Sequence, residues 1–235
     1  MNILAFETSG IAASVAVMKE NRIVGEMTVS TRLNHSEKLM PMIDELLEKT
    51  ETSIKEIDAL ALGVGPGSFT GIRIGVSTAK GLAQALDIPI AAVSSLKALA
   101  CNAMYSDMLV CPIMDARRNQ VYSGIFRWEG MELVEVLKED TYDFNELLFV
   151  LKNKDCQVLF LGQDTDKFND QIREALNEKG IVAMPQANFP RAASVAGLAI
   201  KKIEEKELEN AFTLRPVYLR QAEAERQYQE RMKKK

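Results

Sequence analysis

The stretch GVGPGSFTGIRIGVSTAKGLA, residues 63–83, decides the fold. It joins the end of an apolar run, Ala59 to Val64, to a loop of Gly65, Pro66, Gly67 and Ser68, and then to a helical pattern from Gly71 to Leu86. A strand that feeds through a short glycine-rich loop into a helix is the building unit of α/β sheets. Such a loop aims backbone N–H groups and the positive helix end at whatever lies above it, so Gly65, Gly67 and Ser68 read either as a phosphate cradle or as a tight connection. No Gly-Lys-Ser/Thr follows, which excludes a P-loop. Within the helix Gly71, Gly75, Ala79 and Ala83 recur at i, i+4 and form one ridge almost without side chains. Glycine in a helix interior costs about 1 kcal/mol relative to alanine. The ridge therefore calls for a close neighbour, either the chain's own sheet or a second subunit.

Upstream, Ile3 to Phe6, Ser14 to Met18 and Ile23 to Val29 read as three strands, the last alternating through Ile23, Gly25, Met27 and Val29. Glu7, Thr8 and Ser9 fall in the first turn. Their hydroxyls and amides suit phosphate oxygens and the carboxylate suits orienting a metal, although a carboxylate at a hairpin also serves simply as a turn former. A helix follows, with Ser36 as its cap, Pro41 early or at a kink, and Leu39, Ile43, Leu46 and Leu47 at helical spacing. Met40, Ile43 and Leu47 supply large side chains for a contact with the smooth ridge of another helix.

Downstream, Pro89 opens the strand Ile90 to Val93. From Asp107 the pattern repeats: strands at Met108 to Met114, Gln120 to Trp128 and Met131 to Val136, then helix, strand, helix, strand and a last helix from Ala192 to Lys206. Two lobes of one design, residues 1–103 and 104–220, are expected, with 221–235 a charged helical or frayed tail.

The 235 residues carry a net charge of −4, so there is no broad basic footprint for nucleic acid. No basic-then-apolar leader and no apolar run of about 18 residues occurs, and a cytoplasmic protein is expected. The three cysteines, Cys101, Cys111 and Cys156, form no CxxC pair and read as buried thiols. With His35 the only histidine, mechanisms that need a histidine dyad are excluded, and hydrolase signatures such as HExxH are absent. His35 itself reads as packing beside its helix or touching a partner.

Taken together, ILAFETSG, HSEKLMPMIDELL, the 63–83 block, MDARRNQVY, PRAASVAGLA and PVYLR resemble the TsaB/YeaZ family over residues 1–220. The resemblance implies an actin/hexokinase-like (ASKHA) α/β fold with two ribonuclease-H-like lobes. The related catalytic protein TsaD carries two metal-ligand histidines one helical turn apart; the matching positions here are Ser95 and Leu99, which cannot replace imidazole on a transition metal. The double glycine that helps TsaD hold adenosine corresponds to Gly162 and Gln163, and its late aspartate segment corresponds to Pro190, Arg191, Ala192 and Ala193.

The resemblance thus implies a non-catalytic subunit without metal or cofactor, in which Glu7, Thr8, Ser9, Gly65, Gly67 and Ser68 persist as a vestigial phosphate loop. It implies pairing with TsaD through Met40, Ile43, Leu47, Gly71, Gly75, Ala79 and Ala83, a further assembly with TsaE, and contact with tRNA only through the complex. A homodimer through the same surface when the partner is absent, and a residual ATP-binding phosphotransferase or ATPase, are the alternatives.

Overall fold

The computed structural model of the protein describes residues 1–30, 34–104 and 106–220. β1 (Asn2–Glu7), β2 (Ala12–Lys19) and β3 (Arg22–Ser30) form an antiparallel meander. β4 (Ala59–Gly63) then joins β1, and β5 (Ile90–Val93) joins β4, both in parallel, for a sheet order β3-β2-β1-β4-β5. The parallel pairs require crossovers, supplied by α1 (His35–Lys49) before β4 and α2 (Phe69–Leu86) after it.

Alternation along β1 sorts the two faces of this sheet. Leu4 and Phe6 join Val15, Leu60 and Leu62 beneath α1 and α2, where Leu39, Ile43, Leu46, Ile72 and Val76 close the core. Ile3 and Ala5 point the other way, onto a flatter surface with Ala16, Ala61 and Ala91. That face is covered by α6 (Ala192–Glu204) through Ala192, Val195, Ala196 and Ala199. Small side chains on both partners let the helix lie close to the strands.

The second sheet repeats the plan. β6 (Leu109–Arg117), β7 (Gln120–Glu129) and β8 (Glu132–Asp143) form the meander, followed by α4 (Phe144–Lys152), β9 (Val158–Leu161), α5 (Thr165–Leu176) and β10 (Gly180–Val182). Its order, β10-β9-β6-β7-β8, matches the first sheet strand for strand when read from the other edge. α4 and α5 bury Phe144, Leu147, Leu151, Phe168 and Ile172 on one face. The other receives α3 (Ser95–Ala100), with Leu96 and Leu99 against Val110, Met114 and Phe126.

Several expectations change. The cap of α1 is Asn34, not Ser36, and the helix runs on through Pro41. α2 begins at Phe69, because Ser68 Oγ accepts from the Gly71 amide and closes the first turn there. α3 had no counterpart among the expected helices. Beyond the second sheet the chain returns to the first: α6 packs on that sheet, and Leu214 is fully buried in the first core. A charged tail over residues 221–235 falls outside the described residues.

Candidate functional site

Glu7 ends β1 and is completely buried. Its Oε1 accepts from the Ser9 amide at 2.6 Å, and its Oε2 accepts from Ser95 Oγ at 2.8 Å. Ser95 Oγ in turn accepts from the Gly65 amide at 3.2 Å. A β-carbon on Gly63 would stand 1.8 Å from Glu7 Oε2, so glycine at the end of β4 is what leaves room for the carboxyl. Burial pushes the Glu7 carboxyl above the usual range, while the hydrogen bonds from Ser9 and Ser95 pull it down. Glu7, Ser9, Gly65 and Ser95 are thus brought into one buried cluster. Leu99, one turn beyond Ser95, lies wholly in the core against the second sheet.

Above this cluster a cleft of about 550 Å³ separates the lobes. Its first wall is Ser9, Gly67, Ser68 and the first turn of α2; its second is Asp115, Arg117, Tyr122, Gln163 and Asp164. The second wall is polar in a different way. Lys167 Nζ bonds Asp115 Oδ2 at 2.8 Å and Asp164 Oδ1 at 2.7 Å. Partial burial works against the Asp115 carboxylate, yet the Lys167 contact and the Arg117 amide outweigh it and hold its pKa below the ordinary value. Arg117, Arg118 and Asn119 all have positive φ, at 66°, 58° and 57°, a tight hairpin that non-glycine residues adopt at a cost. Gln163 Oε1 accepts from the Ile11 amide at 2.8 Å and ties the two walls together. Arg191 pairs with Glu26, which also accepts from the Ala193 amide, and so anchors α6 to β3.

The smooth ridge of α2 faces inward. A β-carbon on Gly71 would lie 2.0 Å from the Thr8 carbonyl oxygen, and one on Gly75 would lie 2.5 Å from Thr8 Oγ1. Thr8 Oγ1 donates to the Gly71 carbonyl at 2.8 Å, locking the β1–β2 turn onto the helix. Ala79 and Ala83 are buried in the same core, as are Ile43 and Leu47 of α1. Of the residues expected to present themselves to a partner, only Met40 is exposed, at 39%. The correction has a simple cause: small residues mark close approach, and here the chain's own turn makes it.

A second series was missed. Arg73, Ser77, Gly81 and Ala85 are also spaced by four and all are exposed, offset by two residues and hence about 200° around the helix from the buried ridge. Nothing lies within 4 Å of where a Gly81 β-carbon would be. The offset series is visible in the sequence once the first is assigned to the core. His35 Nε2 is 2.9 Å from the Gly10 carbonyl, beside the same turn. Cys111 is buried, Cys101 and Cys156 only partly; burial pushes the Cys101 and Cys111 thiols up to about 12, which keeps both protonated. Among the described residues no helix is long and apolar enough to cross a membrane.

Two sheets of matching topology facing a common cleft, each with crossover helices on one face, define an actin- and hexokinase-like two-lobed protein. Component A of the (R)-2-hydroxyglutaryl-CoA dehydratase of Acidaminococcus fermentans shares this fold, with TM-score 0.50 at 14% identity over 87% of this chain and 99% of that one. The family described as TsaD, tRNA N6-adenosine threonylcarbamoyltransferase, matches residues 22–228. The tRNA threonylcarbamoyladenosine biosynthesis protein TsaB of Bacillus subtilis is 39% identical over 99% of this chain and 100% of its own length. YeaZ from Pseudomonas aeruginosa superposes with TM-score 0.78, at 27% identity over 92% of this chain and 99% of that one. The chain belongs to the TsaB/YeaZ family.

Proposed function

We propose that this protein acts in the biosynthesis of threonylcarbamoyladenosine in tRNA as a non-catalytic subunit. It supports TsaD, which transfers threonylcarbamoyl to adenosine of tRNAs reading ANN codons. The observation that carries this reading is the fate of Ser95 and Leu99. Where TsaD places metal-ligand histidines, Ser95 spends its hydroxyl on a buried carboxyl of its own chain and Leu99 fills a core. Involvement in this pathway is also what the names of the relatives state.

TsaD docks, in this reading, on the outer face of α1 and α2, where Met40, Arg73, Ser77, Gly81 and Ala85 are exposed; TsaE joins the pair afterwards. The family pairs through two helices of each subunit, and a flat row of small side chains permits close helix approach. Gly81→Arg tests the docking. Replacing an exposed mid-helix glycine should stabilise the free chain by up to about 1 kcal/mol, while co-purification with TsaD and threonylcarbamoylation by the mixture are lost. A variant that copurifies normally removes this face from the interface.

A second reading, residual ATP binding, is favoured by one feature: Ser9, Ser68 and Thr70 line the cleft at the start of α2. Calorimetry with ATP and magnesium at millimolar ligand decides it, since absence of heat removes the reading.

A further inference from the structure

Among the described residues the chain crosses between the lobes in three places. The first crossing runs through α3 and the segment up to Leu109; the second leads from β10 into α6. No described residue of either lines the cleft, whereas Val217, Tyr218, Leu219 and Arg220 of the third all do. A two-lobed body whose chain crosses only away from its cleft, with the Gln163–Ile11 hydrogen bond between the walls, has little else to resist opening there. The third crossing stands where it resists opening.

Its attachments change lobe within one peptide bond. On the first lobe, Glu209 exchanges two backbone hydrogen bonds with Ile90 at 2.8 Å each, Leu214 is fully buried, and the Val217 amide donates to the Val64 carbonyl at 2.9 Å. Tyr218 stacks on Phe69 with ring centroids 4.8 Å apart, and its hydroxyl accepts from Arg73 Nε at 2.9 Å. The Arg73 guanidinium also lies 3.8 Å from the Phe69 ring centre. From Leu219 on, hydrogen bonds reach the second lobe. Thr141 Oγ1 donates to the Leu219 carbonyl, at 3.4 Å, and Arg220 donates to the Ala116 carbonyl at the strained β6–β7 hairpin.

We infer that residues 214–220 are a strap that fixes how far the cleft opens, with the Phe69–Tyr218–Arg73 stack as its buckle on the first lobe. The stack is the part built from side chains rather than from buried backbone, and Tyr218 is 40% exposed. It is therefore the part a substitution can release without dissolving a core.

Hydrogen exchange on the full chain, read by mass spectrometry, tests this. Tyr218→Ala should speed exchange at least tenfold in peptides over residues 66–70 and 114–118, the two walls of the cleft, while β1 and β9 stay protected. Arg73→Ala, at an exposed site, should do the same to a lesser degree. Exchange that rises only within 214–220 in both variants overturns the inference. Should Tyr218→Ala raise exchange through both sheets, Arg73→Ala decides alone: faster exchange at both walls supports the strap, and unchanged walls overturn it.

Discussion

α2 and α5 occupy the same place in the two lobes, each the crossover from the fourth to the fifth strand, yet they meet their sheets with opposite materials. α2 offers Gly71, Gly75, Ala79 and Ala83 beside Ile72 and Val76; α5 offers Phe168, Ile172 and Leu176. The difference follows from what lies at the helix start. In the first lobe the β1–β2 turn is pressed onto α2 through Thr8, so positions 71 and 75 must be bare. In the second lobe the equivalent hairpin is tied to the start of α5 through Asp115, Asp164 and Lys167, and large side chains fill the core beside it. One topology is thus compatible with a backbone clamp and with an ion-pair tie.

Truncating the filler and filling a bare position probe that contrast from opposite sides. Phe168 is 5% exposed and its ring centroid is 4.4 Å from that of Phe144, so Phe168→Ala should cost about 3–5 kcal/mol in denaturant unfolding. Gly75→Leu drives a branched side chain into Thr8 and Leu62, and overpacking of this kind costs about 1–3 kcal/mol. Its effect should appear as loss of the folded first lobe before any loss of partner binding. If Gly75→Leu unfolds at the parental denaturant concentration, the ridge does not touch the turn and the contrast between the helices fails.

Much of this arrangement was legible in the residues. The strand, loop and helix of 59–86 and the repetition of the pattern after residue 107 follow from period and turn chemistry alone. The ridge was visible too, but periodicity tells how residues share a face and not which way that face points; the exposed series two positions on, ending in Ala85, was needed to settle it. α3 escaped because six residues make fewer than two turns and show no amphipathic period. The packing of α6 was not legible, since chain order places it after the second sheet while its alanine face fits the alanine-rich back of the first. The strap and the Glu7–Ser95 contact, across 88 residues, have no local signature at all.

The two turns also differ in charge, and pH separates them. Glu7 is raised by burial, so the folded state holds its proton more tightly than the unfolded chain, whose value is near 4.5. Its contribution is therefore full below that value and declines as pH rises toward the folded pKa. Glu7→Gln keeps an oxygen for the Ser9 amide and offers an N–H to Ser95 Oγ. Thermal unfolding from pH 4 to 8 should show the variant gaining on the parent as pH rises. A parallel course for the two proteins would mean that the buried carboxyl carries no proton of its own.

At Asp115 the sign reverses. The carboxylate is held below its ordinary value of 3.8, so its pairing with Lys167 is present above that value and is lost as pH falls through the folded pKa. The effect is smaller than any above, because the Lys167 side chain is 57% exposed and solvent screens the pair. Lys167→Ala should therefore cost about 0.2–1 kcal/mol at neutral pH and low salt, and almost nothing at 1 M salt or once acid has protonated Asp115. Asp115 and Asp164 would then lose the cation they share, with Arg117 still near Asp115 and the Asp115 amide still donating to Asp164 Oδ2 at 3.1 Å. A salt-independent loss of several kcal/mol would instead make Lys167 a packing element of the hairpin, and the second lobe would then hold its turn by contact, as the first does through Thr8.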